Sequence, residues 1–324
     1  MNVVVFTQGL SPIVEPIFDK HGIQAVVESG PRGCLETMRQ TRLAEFCRRH
    51  SIPYYWLTKP TRDGLVAFLK SLPSTPLDVA AVYSMSQLLP ADVLDLFPRG
   101  VINAHPSKLP AYRGPNPYFW TFYDGCSETA LTIHYLDSGE DTGDIILQVP
   151  ICVKENDAEK RIETVNLRDK VQTLLGATML KALDMVERNV APRQVQPKVS
   201  PTVRARNITS ENVAEVLAAL RLPLDQASFF FQNVLGALPL RQFGIRRLSG
   251  DWCVKAVVQM DDDKGGLNDP AAWFVNRGVL PDRIYWRWRG FALARPDGWI
   301  VLAPRINLLK FLIKLVRDWM RLSR

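Results

Sequence analysis

An amide, an imidazole and a carboxylate fall within two short segments of this chain, Asn103-Ala-His105-Pro-Ser107 and Asp141-Thr-Gly143-Asp144. Asp141 follows His105 by 36 residues. Asn103 and His105 directly follow a strand-like run, and Asp141 sits in a loop between Gly139 and Gly143. Such a trio could hold a tetrahedral intermediate. The amide would donate to an oxyanion, the imidazole would handle the proton, and the carboxylate would orient the imidazole. Taken singly, His105 reads equally as a turn histidine, and Asp141 as a residue capping its own loop. The surrounding turn residues make the combination specific.

The elements that must position this trio read as alternating strands and helices. Residues 3–6 (Val-Val-Val-Phe) form a short apolar run typical of a buried parallel strand. Residues 33–49 have helical character, and Tyr-Tyr-Trp-Leu at 54–57 reads as a second strand. Helical spacing recurs at Leu65, Val66 and Leu69, then residues 78–83 form another buried strand. A helix through 91–97 and a strand at 100–103 follow. This alternation predicts a doubly wound α/β fold with a mostly parallel sheet, in which ligands gather at the carboxyl ends of the strands. Asn103 and His105 fall at such an end. Residues 130–135 and 145–149 read as a strand pair flanking the Asp141 loop, and 164–188 as an amphipathic helix.

The Pro-punctuated stretch at 190–202 is expected to be an extended linker between a catalytic domain at 1–189 and a smaller α+β domain at 203–324. In that second part, 213–220 reads as a helix, and 252–259, 283–288 and 299–302 as strands. Six of the eight tryptophans lie beyond residue 250, where core filling is the plainer use for them than base stacking.

Composition narrows the class. Apolar residues make up 47% and charged residues 23%, as in an ordinary soluble globular protein. The five cysteines show no CxxC pairing and no histidine at metal-ligand spacing, and an odd, scattered set argues for reduced thiols in a cytoplasm rather than a disulfide framework. No apolar run has the length of a membrane span. Of the net charge of +7, residues 305–324 carry +5 (six basic residues, one acid), leaving +2 elsewhere. The chain therefore has a basic tail, not a global basic field.

Read together, residues 101–148 resemble the formyltransferases that use 10-formyltetrahydrofolate. The resemblance rests on Asn103-Ala-His105, on Pro106-Ser-Lys-Leu-Pro-Ala-Tyr-Arg113-Gly114, and on Thr132-Ile-His134 followed by Asp141-Thr-Gly143. That family includes the glycinamide ribonucleotide, methionyl-tRNA and sugar-amine enzymes. The resemblance implies a formyltransferase-like Rossmann variant for the first domain and Asn103, His105 and Asp141 as the catalytic trio. Asp141 would hold His105 in one tautomer and raise its pKa. It further implies 10-formyltetrahydrofolate as formyl donor, without a metal. The donor would be held largely by backbone groups in two loops, Ser86-Gln87-Leu88-Leu89 and Leu136-Asp137-Ser138-Gly139-Glu140. Without the resemblance, Leu88 and Leu89 read as plain core residues. Arg113 and His134 are candidates for binding the acceptor, although Arg113 reads equally as a loop-bracing partner.

The acceptor is expected to be a small primary amine, an amino sugar nucleotide or an amino acid derivative. The loop at 7–12 (Thr-Gln-Gly-Leu-Ser-Pro) lacks the phosphate loop of the ribonucleotide enzymes and the insertion of the tRNA enzymes, and His134 is polar as in the small-molecule enzymes. The alternatives are methionyl-tRNA, which length and the basic second half suit, hydrolysis of the donor by water, and folate binding without catalysis. Leu308, Leu312, Leu315, Trp319 and Leu322 form one stripe of a helix, and Lys310, Lys314, Arg317, Arg321 and Arg324 another. That tail could dock on the protein, touch tRNA or rest at an anionic membrane surface.

Overall fold

The computed structural model describes residues 1–30, 41–57, 63–73, 76–85, 87–153, 167–207, 252–259, 284–287, 290–295 and 298–304. The chain divides into two compact units. One comprises Met1–Thr121 with Cys126–Arg206, and the other Phe122–Gly125 with Asn207–Arg324.

In the first unit, strand β1 (Val3–Thr7) leads to helix α1 (Val14–His21) and strand β2 (Ala25–Ser29). Helix α2 (Arg42–Arg49), strand β3 (Tyr54–Leu57) and helix α3 (Asp63–Lys70) follow. Strand β4 (Val79–Tyr83), the short helix α4 (Ala91–Leu94), strand β5 (Val101–His105) and helix α5 (Pro117–Tyr123) come next. Strands β6 (Glu128–Tyr135) and β7 (Ile145–Cys152) precede the long helix α6 (Leu167–Glu187). The seven strands form one sheet in the order β3-β2-β1-β4-β5-β6-β7. The first five strands run parallel, while β6 and β7 are antiparallel. The expected doubly wound sheet is therefore present.

The central strands β1, β2 and β4 are buried along their whole lengths, which is why they read as continuous apolar runs. Phe6, Leu65, Leu69, Val93 and Phe97 pack into one apolar cluster on a face of the sheet. Three elements of this unit, α1, β2 and α5, escaped the sequence reading. Helix α1 carries Pro16 in its first turn, a position a proline tolerates because that N–H has no partner inside the helix. Strand β2 ends in polar residues, yet both are buried. The Glu28 carboxylate accepts from the Gly9 N–H at 3.1 Å, the Thr41 hydroxyl at 2.6 Å and the Tyr54 hydroxyl at 2.7 Å. A buried carboxylate with three donors is tolerated where a bare one would not be. It also ties the loop after β1 to α2 and β3.

The stretch expected to be a linker is extended, but packs against the first unit as far as Arg206. Gln194 bridges Ile145 in β7, and the Ala205 main chain bonds to Arg113 and Asn116. The proline spacing signals extended backbone without signalling what that backbone lies on.

In the second unit, strands β8 (Trp252–Gln259), β9 (Ile284–Arg287), β10 (Gly290–Arg295) and β11 (Gly298–Pro304) form an antiparallel sheet in the order β8-β11-β10-β9. The strands read from the sequence correspond to β8, β9 and β11, whereas β10 was missed. The expected helices at 213–220 and in the 305–324 tail lie outside the described residues. Among the described residues no helix is long and apolar enough to cross a membrane.

Candidate active site

Strand β5 delivers Asn103 and His105 to the same face of the sheet, because alternate residues of a strand point the same way. Antiparallel pairing with β6 sets His134 opposite Asn103 and Thr132 opposite His105. The turn joining β6 to β7 then brings Asp141 over both. The trio that sequence spacing suggested is assembled. His105 Nδ1 lies 3.5 Å from Asp141 Oδ2, and Asn103 Nδ2 lies 3.5 Å from Asp141 Oδ1.

The polar partners settle the orientation of each group. His105 Nε2 is 3.0 Å from the Tyr112 carbonyl, which can only accept, so Nε2 carries a proton and Nδ1 faces the carboxylate. The tautomer is therefore fixed by Tyr112 and not, as expected, by Asp141. His134 Nδ1 is likewise 2.8 Å from the Tyr135 carbonyl and must donate. Its Nε2 is then free to accept from Asn103 Nδ2 at 3.1 Å. One N–H of Asn103 is thereby fixed toward β6, and the second is directed only to the long contact with Asp141.

Burial of His105 lowers its pKa below the ordinary histidine value, overcoming the upward pull of the Asp141 carboxylate. The expected rise thus becomes a net fall. Asp141 goes the same way for a different reason. Burial works against its ionisation, but the positive charge His105 and His134 carry when protonated, with the Gly114 N–H 2.9 Å from Oδ2, holds it well below the usual carboxylate range.

The loop carrying Asp141 is held from within. Asp137 Oδ1 accepts from the Gly139 N–H at 3.0 Å and the Thr142 hydroxyl at 2.6 Å. Asp141 itself has φ +55°, a left-handed conformation rare outside glycine. At Gly143 a Cβ would lie 2.1 Å from the Tyr135 carbonyl oxygen, so only glycine lets the two strands approach here. Thr132 steadies the segment after His105 by donating to the Ser107 carbonyl at 2.6 Å.

A cleft of about 240 Å³ opens beside the trio, and Asn103, His105 and Asp141 all line it. Gln87, Leu88, Leu89, Leu136, Asp137, Gly139 and Glu140 line it too. Leu88 is 54% exposed and presents its side chain to the cleft. Ser138 is exposed and lies outside the wall, and Ser86 lies outside the described residues.

The two residues expected to bind the acceptor do not reach the cleft. His134 is fully buried behind Asn103. Arg113 is also buried, and its guanidinium donates to Gln196 Oε1 at 2.9 and 3.3 Å, the Pro197 carbonyl at 2.8 Å and the Lys198 carbonyl at 3.4 Å. Five guanidinium donors suit several carbonyl acceptors as well as they suit an anion, and here the carbonyls have them. Tyr118, which sequence reasoning overlooked, also lines the cleft. Its hydroxyl is buried beside that of Tyr83, and burial raises its pKa.

Among the described residues, His21, Asp184 and Glu187 come within reach of a single cation. Lys20 already sits 2.5 and 2.6 Å from the Asp184 oxygens, and the Met1 ammonium 3.5 Å from Glu187. That cluster is charge-compensated by the chain itself.

Residues 22–178 match the family model described as Formyl transferase. That segment, just under half of the chain, is similar to the formyl transferases. The methionyl-tRNA formyltransferase of Clostridioides difficile (strain 630) is 32% identical over 188 residues, covering 57% of this chain and 58% of that protein. That of Syntrophus aciditrophicus (strain SB) is 42% identical over 132 residues, covering 40% of each. The chain thus spans little more than half the length of these curated relatives at most. Among solved structures, the N-formyltransferase from Helicobacter canadensis, in complex with folinic acid and dTDP-3-aminofucose, aligns with a TM-score of 0.55 at 14% identity. It covers 94% of this chain and 99% of its own. A sugar 3N-formyl transferase solved in the presence of dTDP and 5-N-formyl-THF also gives 0.55, at 15% identity over 95% of this chain and 98% of its own. At such identities the likeness establishes the fold.

Proposed function

We propose that the protein is an N-formyltransferase that moves the formyl group of 10-formyltetrahydrofolate to the primary amine of a small molecule, an amino sugar nucleotide or an amino acid derivative. The observation that carries this reading is the meeting of Asn103, His105 and Asp141 at one wall of a cleft in a formyl transferase fold. The cleft suits the donor. Leu88, Leu89 and Leu136 offer apolar surface to a flat ring, while the main chain from 136 to 141 supplies polar groups around it.

When bound, the folate supplies an electrophilic formyl carbonyl whose oxygen gains negative charge as an amine adds. Asn103 presents its second amide N–H to that oxygen, an interaction worth about 3–4 kcal/mol in a water-poor site. His105 Nδ1, unprotonated while Nε2 donates to Tyr112, takes the proton that the amine sheds and passes it to N10 of the folate as the formyl C–N10 bond breaks and tetrahydrofolate leaves. Asp141 stays ionised and stabilises the imidazolium so formed. Its own position is kept by the Gly114 N–H.

For the acceptor, two observations compete. Fold likeness to the two sugar-amine structures runs over nearly the whole chain, which supports a small amine. The curated relatives are methionyl-tRNA enzymes, which favours aminoacyl-tRNA as the second reading. The test is tetrahydrofolate release from 10-formyltetrahydrofolate with nucleotide-linked amino sugars, amino acids, methionyl-tRNA or water alone. Turnover with a small amine, lost roughly 10²–10³-fold in Asn103→Ala, is the expected result. Full activity in Asn103→Ala, or release with water alone, would reject the proposal.

A further inference from the structure

Resting on the function proposed above, we infer that Gln196 is a positioning residue that fixes Asp141 against His105. Its carboxamide is 7% exposed and belongs to the proline-punctuated stretch, 55 residues beyond Asp141. Nε2 donates to the main-chain oxygens of Asp141 at 3.1 Å and Gly143 at 2.6 Å. Oε1 accepts both bonds from Arg113, at 2.9 and 3.3 Å. These four bonds use both amide hydrogens and both acceptor lone pairs, so neither the place nor the flip of the carboxamide is free.

The carboxylate of Asp141 has to satisfy two partners from different segments, His105 Nδ1 on β5 and the Gly114 N–H in the loop after it. Gln196 holds both sides of that arrangement. One end grips the carbonyl of Asp141, whose φ of +55° costs a non-glycine residue about 1–2 kcal/mol. The other end grips Arg113, the residue that immediately precedes Gly114. Docking of the stretch itself does not depend on Gln196, because Gln194 pairs with Ile145 at 2.9 and 3.1 Å, and Ala205 pairs with Arg113 and Asn116 at 2.7 and 2.9 Å. What Gln196 adds is the hold on the Asp141 turn.

Two variants test this. Gln196→Met keeps the length of the side chain and removes every polar contact. Gln196→Glu keeps an acceptor for Arg113, replaces the two donors to the turn by an oxygen that cannot donate, and adds a negative charge that Arg113 faces. The groups facing His105 are Asp141 and Glu140 from the turn, His134 from β6 and the Tyr112 carbonyl. Once Asp141 drifts, less charge opposes burial, so the NMR titration midpoint of the His105 ring in Gln196→Met moves to lower pH. In Gln196→Glu, kcat falls roughly 100-fold with KM for 10-formyltetrahydrofolate and the melting temperature little changed, as expected for misplacement of a catalytic group by about 1 Å. An unmoved His105 midpoint in a folded Gln196→Met, or wild-type kcat in Gln196→Glu, overturns the inference. Should the unaltered protein transfer no formyl group at all, the proposed function fails, and the His105 midpoint still decides the role of Gln196.

Discussion

His105 is the residue whose chemistry depends most on what surrounds it. Its Nε2–H is taken by a carbonyl and its Nδ1 faces a carboxylate, so in the reaction proposed above the ring would enter as a neutral base with a ready counter-charge. Because burial outweighs Asp141, its folded pKa lies below the ordinary value of about 6.5. The sign follows directly. A lowered histidine pKa means that its stability contribution is fully present above about pH 6.5 and is lost as pH falls through the folded value. The same group sets the acid limb of the rate. The profile of kcat/KM is expected to be flat through neutrality and to fall only below about pH 6.5. In Asp141→Asn the carboxylate no longer raises the imidazole pKa, so on the residual activity the limb moves lower still. Initial rates over a pH series check both statements, and a limb at or above the ordinary histidine value contradicts them.

At the scale of elements, the antiparallel β6–β7 hairpin is what makes the parallel sheet into a site. It returns along β5, lays His134 beside Asn103, and turns at the one place where its loop can drop a carboxylate onto His105. That turn is tight. Gly143→Ala would set a methyl group 2.1 Å from the Tyr135 carbonyl oxygen, so the backbone must move. The expected cost is about 1–3 kcal/mol of stability in urea unfolding, with kcat reduced far more than KM for the donor; an unchanged midpoint would mean that the turn has slack not seen here. This hairpin was legible beforehand because glycines and an acidic pair punctuate it between two apolar runs. The central strands were legible too, since burial on both faces leaves an unbroken apolar stretch at 3–6 and 78–83. Strand β2 was not, as Glu28 and Ser29 look like solvent residues until their buried partners are known. Arg113 and Gln196 failed for a related reason. A side-chain hydrogen bond across more than 80 residues leaves no period and no spacing, so the sequence could not say that the arginine answers a carboxamide and two carbonyls and not a substrate anion.

Over the whole molecule, the question is which amine meets this site, and charge distribution offers a way to decide. The net charge of +7 is concentrated in residues 305–324, beyond the described residues, and the remainder is close to balanced. A nucleic-acid acceptor would be held by several lysine and arginine contacts to phosphates, each releasing counterions. Six to ten such contacts lower affinity about 10³–10⁵-fold between 50 and 200 mM salt. A nucleotide-linked amino sugar carries only a diphosphate, so its dependence on salt is shallow. The prediction is that formyl transfer to the best small amine changes by no more than about tenfold across that salt range. Transfer to methionyl-tRNA, if measurable, falls steeply and shows no advantage in kcat/KM at any salt concentration. Rates with both acceptors at four or five salt concentrations give the two slopes directly. A steep slope for methionyl-tRNA together with a higher kcat/KM than any small amine would reassign the acceptor to tRNA while leaving Asn103, His105 and Asp141 in their roles.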